Sequence, residues 1–100
     1  MSPAAPEAFE REQGITEADW LACLPGAVGP HSLSLRLPGR ATVHIGAGCL
    51  QLHWQVLPER RIALMRMPRL HVAYRFEGLA DDERQRFMRY FDLFLQRGGG

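Results

Sequence analysis

Four side chains able to ligate a metal, His44, Cys49, His53 and His71, share one alternation in the middle of the chain. A zinc site needs three or four such ligands converging at about 2.0–2.3 Å. No His-x-His pair is present to start one, so these groups read as solvated or hydrogen-bonded surface side chains, with no metal and no cofactor expected. The same alternation carries Arg36, Arg69 and Arg75, and Arg61 where its strand keeps phase. Arginines beside Gln, Ser and Thr donors are suited to carboxylate or phosphate oxygens. Arg36, His44, His53, Arg69, His71 and Arg75 are therefore the candidate partner-binding residues.

Other groups have simpler readings. Asp81-Asp82-Glu83 opens a helix, where carboxylates match the positive end of the dipole. The terminal Gly98-Gly99-Gly100 resembles the reactive tail of a ubiquitin-like or sulfur-carrier protein. However, it follows an amphipathic helix rather than a strand, so Gly98 reads as a helix C-cap. No phosphate loop, Gly-x-Ser-x-Gly elbow, Cys-x-x-Cys or His-Glu-x-x-His motif occurs. No catalytic residue is assigned, and a non-enzymatic role is favoured.

One hundred residues bound the chain to one modest core. No apolar run approaches the roughly 20 residues of a membrane helix, and "MSPAAPEAFEREQG" lacks the pattern of a secretory signal. These readings imply no membrane and a cytoplasmic location, where Cys23 and Cys49 stay reduced. All twelve basic residues are arginine. With abundant Ala, Gly and Pro, this suggests a GC-rich, bacterial genome rather than selection for nucleic acid. The charge is unevenly spread. Residues 1–30 hold one arginine against five acids, residues 31–75 seven arginines against one glutamate, and residues 76–100 four arginines against five acids.

The elements that must position these groups follow from periodicity. Residues 1–13 read as a flexible tail and residues 14–100 as a single α+β domain. In "GITEADWLACLPG", Thr16 caps a helix, Ile15 and Trp20 are spaced as a staple, and Pro25-Gly26 stop it. From Ser32 the period is two. The inward sets are Leu33, Leu35 and Leu37; Ala41, Val43 and Ile45; and Leu50, Leu52, Trp54 and Val56. A two-residue loop at Ala47-Gly48 would set His44 against Gln51 and Thr42 against His53, bringing the two histidines onto one diagonal. "LPER" reads as a turn. Residues 61–77 read as two strands meeting at "RMPR", or as one strand bent at Pro68, with Ile62, Leu64, Leu70, Val72, Tyr74 and Phe76 inward. "LADDERQRFMRYFDLFLQR" is a helix whose Phe87, Met88, Tyr90, Phe91, Phe94 and Leu95 share an arc of roughly 160°.

The expected architecture is a four- or five-stranded antiparallel meander. A short N-terminal helix and a long amphipathic C-terminal helix pack on one face of it. Its order is loosely similar to that of helix-grip proteins, a resemblance that implies a ligand cavity between sheet and last helix. Two functions follow. The first is a small binding or adaptor protein presenting the Arg/His-rich sheet face to an acidic protein segment or a nucleic-acid backbone. The second is a carrier of a small apolar ligand in a cavity lined by Trp54, Leu64, Met88 and Phe91.

Overall fold

The computed structural model describes residues 5–97. It is an α+β fold with β1 (Ala8–Gln13), α1 (Glu17–Ala27), β2 (Ser32–Arg36), β3 (Arg40–Ile45), β4 (Gly48–Ile62), β5 (Met65–Glu77) and α2 (Asp81–Arg97). The sheet is open and antiparallel, in the order β1-β5-β4-β3-β2. β2 to β5 form a meander. The chain then closes the far edge with its first strand, so residues 8–13 are not a tail. Phe9 explains the difference. It packs against the core and stacks on Tyr74 with ring centroids 4.6 Å apart.

Because β1 and β2 occupy opposite edges, α1 must carry the chain beneath the whole sheet. Four inter-strand gaps span about 19 Å, and the eleven residues of α1 supply about 16 Å of it. Thr16 caps α1 by accepting from the Asp19 N–H at 3.1 Å. The helix does not stop at Pro25-Gly26 but includes both and ends at Ala27. Pro25 forgoes its own bond to the Leu21 carbonyl, and the helix continues for only two residues beyond it. Gly26 also belongs inside the helix, since a Cβ there would run into the Phe94 ring of α2.

Both helices lie on the inner face. Trp20 of α1 meets Trp54 and Phe91 edge-on at 5.7 and 6.0 Å, and Phe91 of α2 meets Tyr74 at 6.0 Å. Trp54, Met88 and Phe91, expected to line a cavity, are buried parts of this core, while Leu64 lies far from them and is 100 % exposed. The inner phase holds for Val43, Leu50, Leu52, Leu70, Val72, Tyr74 and Phe76, all buried. Leu35 and Val56 keep that phase, opposite Ala41 and Leu70, but burial gives out at the sheet's margins. Leu35, Leu37 and Val56 are exposed, and Tyr90 is likewise exposed on the flank of α2. The expected Gly98 cap and the Gly98–Gly100 tail lie outside the described residues.

Two registers differ from the sequence reading. The β3–β4 loop is Gly46-Ala47, so Val43 pairs with Leu50 and His44 with Cys49. The slip is two residues, which leaves every side chain on its expected face. "LPER" is not a turn, and "RMPR" is not one either. β4 and β5 form one long hairpin whose tip is Ala63-Leu64. Its two halves are joined at an irregularity where Leu57 pairs with Arg69 but Arg60 pairs with Met67. Pro58 and Glu59 thus stand against Pro68 alone, which is a β-bulge. The bulge changes the phase of β4. Arg60 and Ile62 join Met65 and Met67 on the outer face, and Arg61 turns inward with Arg66. Ile62, expected in the core, is consequently exposed.

Candidate functional site

The register places the outer-face residues in rows. Arg36, Arg40, His53, Ala73 and Glu10 stand side by side across β2, β3, β4, β5 and β1. The adjacent row is Ser34, Thr42, Gln51, Arg75 and Ala8. Neighbours in a row are about 4.5–5.5 Å apart at Cβ. Ala73 is the short side chain among long ones, and it floors a shallow depression of about 520 Å³. Arg36, Arg40, Thr42, Gln51, His53, Arg75 and Glu77 form its walls.

The electrostatics of this depression are lopsided. Three guanidinium groups face a single carboxylate, Glu77, which lies 3.7 Å from Arg75. Arg36 and Arg40 are direct cross-strand partners and make no ion pair among the described residues. Like charges directly opposite one another destabilise a sheet, and an anion between them would reverse the sign. Thr42 donates to Gln51 Oε1 at 2.7 Å, fixing a polar wall. Burial, with Glu77 nearby, pushes the Cys49 thiol up, so Cys49 is held protonated rather than as a nucleophile.

Of the six residues proposed from sequence, the fold gathers Arg36, His53 and Arg75 at the depression. His44 lies beyond it, opposite Cys49. It is separated from His53 by two rows, because the real β3–β4 register places Arg40 rather than Thr42 opposite His53. Arg69 and His71 are occupied by β1. Arg69 donates to Glu12 at 2.6 Å, and His71 Nε2 lies 2.6 Å from Glu10 Oε1. Arg40, Thr42 and Gln51 complete the site although they are absent from the sequence-based set. The strand phase could have found Arg40, which shares the outward alternation of Thr42 and His44.

The Glu12 contact has a measurable signature. The hydrogen bond from Arg69, reinforced by its charge, holds the Glu12 carboxyl below the usual carboxylate range. A carboxyl depressed in the folded state stabilises β1 above its unfolded pKa, and this contribution is lost as the pH falls through the lowered value. In an NMR titration Glu12 should lose its charge at lower pH than an ordinary glutamate. Arg69→Ala should move its midpoint up. An unchanged midpoint would show that the contact does not persist in solution.

A second set of contacts locks β1 from below. Arg11 lies over the Phe9 and Tyr74 rings at 5.2 and 5.4 Å. It donates two hydrogen bonds to Asp92 of α2, at 2.7 and 3.2 Å. Such a bidentate pair on aromatic faces fits Arg better than Lys. It fixes the edge strand that supplies Glu10 and Glu12.

Compared with models of protein families, with curated proteins and with solved structures, the chain matches none.

Proposed function

We propose that the protein is a non-enzymatic binding module whose outer sheet face takes up an acidic partner at the Arg36–Arg40–Arg75 depression. One observation carries this reading. Arg36 and Arg40 are held opposite each other without a carboxylate, beside a floor kept open by Ala73. His53 and the remaining amide hydrogen of Gln51 line the same depression as further donors, while the Thr42 hydroxyl is engaged with Gln51 Oε1.

Poly-glutamate is a suitable probe. Its affinity should fall steeply as salt rises, since exposed charges lose their reach beyond a Debye length of about 8–10 Å at physiological salt. Amide shifts on titration should centre on Arg40, Gln51, His53 and Arg75. Arg36→Ala combined with Arg40→Ala should abolish these shifts while changing stability by about 0.5 kcal/mol or less per site. Binding that is flat in salt, or unchanged in the double variant, would overturn the proposal.

A further inference from the structure

Beyond the bulge the β4–β5 hairpin leaves the body of the protein. Every residue from 58 to 67 is exposed, and among the described residues no helix covers either side. A two-stranded ribbon without a covered face is marginally stable alone, yet this one is two-sided. Glu59, Arg61 and Arg66 share its inner side, with Glu59 Oε1 at 3.8 and 3.9 Å from the two arginines. Ile62, Met65 and Met67 share the outer side, at 55, 63 and 41 % exposure. That outer side is continuous with the face bearing the arginine depression. Six residues of β5 separate Ala73 from Met67, about 20 Å at roughly 3.3 Å per residue.

We infer that the partner is an extended acidic protein segment that seats its carboxylates at Arg36 and Arg40 and lays apolar side chains on Ile62, Met65 and Met67. This rests on the anion-binding reading of the depression and adds the class of occupant. On that outer side Arg60 is already paired with Glu12 at 3.4 Å, and Arg61 and Arg66 face the other way with Glu59, so the acidic character of the occupant is set at the depression and its apolar character at the ribbon. Two copies laid ribbon to ribbon would cover Ile62, Met65 and Met67 but bring no carboxylate to Arg36 and Arg40. A nucleic-acid strand would place phosphates over apolar methionines and meet no Phe, Tyr or Trp on the outer face among the described residues. A bilayer would take the tip end-on and leave the depression well clear of its surface.

A displayed library of random peptides about twelve residues long, panned against the full chain, tests this. Selected sequences should carry acidic residues at one end and apolar residues about seven to nine positions away, since Arg40 and Arg36 stand two and three strands from Ala73. A synthetic copy should lose affinity about tenfold or more in two variants. One is Arg36→Ala with Arg40→Ala, and the other is Met65→Ser with Met67→Ser. Thermal melts of both should match the parent. A library without that pattern overturns the inference. So does an oligothymidylate or a phosphatidylserine vesicle that binds through the ribbon as tightly as the peptide. If only the methionine variant binds like the parent, the occupant is wrong and the arginine depression stands. If the arginine variant also binds like the parent, both readings fall.

Discussion

Phe91→Ala should cost about 3–5 kcal/mol, the range for losing a buried aromatic. Phe91 is fully buried and meets Trp20, Tyr74 and Phe87 at ring-centroid distances of 6.0, 6.0 and 5.8 Å. Its removal therefore opens a void where α1, α2 and β5 converge. Small domains are stabilised by about 5–15 kcal/mol in total, so the variant should unfold at markedly lower urea or not fold at all. Leu93→Ala on the same helix is the control, because Leu93 is exposed and should change the midpoint little. Equal midpoints for the two variants would mean that α2 does not present Phe91 to the core.

Gly48→Ala is the second large effect expected. Gly48 opens β4 immediately after the Gly46-Ala47 turn and lies beneath the end of β5. A Cβ would sit 2.7 Å from the Gly78 carbonyl oxygen and 2.8 Å from its carbon, and closer still to the Glu77 oxygen. These are backbone atoms with no rotamer to yield, so the strands themselves must part. Overpacking costs of about 1–3 kcal/mol or more follow. Gly46 has a positive φ but nothing within 4 Å of a Cβ, so Gly46→Asn should be far milder. Chemical denaturation of both variants decides. A Gly48→Ala protein as stable as the parent would show that the β4–β5 contact is looser than described.

What the sequence disclosed depended on the range of the interaction. α2 was legible because its period is local, and the Thr16 cap because it acts over three residues. The inner phase of β3 to β5 was legible wherever a helix covers it. β1 was hidden. Glu10 and Glu12 alternate with Arg11 and Gln13, so charge stands on both sides, and the pairing partner lies some sixty residues downstream. With β1 unread, the carboxylates that occupy Arg69 and His71 could not be anticipated. In "GAG" two adjacent two-residue turns keep the core in phase, so alternation could not choose between them. Pro58 and Pro68 read as breakers, whereas standing across from one another they share one irregularity.

The bulge has a mechanical meaning. An extra residue on one strand bends and twists a ribbon locally. Deleting Pro58 would leave Arg60 facing Met67 and Ile62 facing Met65, with the same side chains on the same sides. Only the angle at which the arm leaves the sheet would change. Substitutions on the ribbon alter what it touches, while a one-residue change in length at 58–59 alters where it points. Reach and chemistry can therefore be varied independently, by mutations of different kinds.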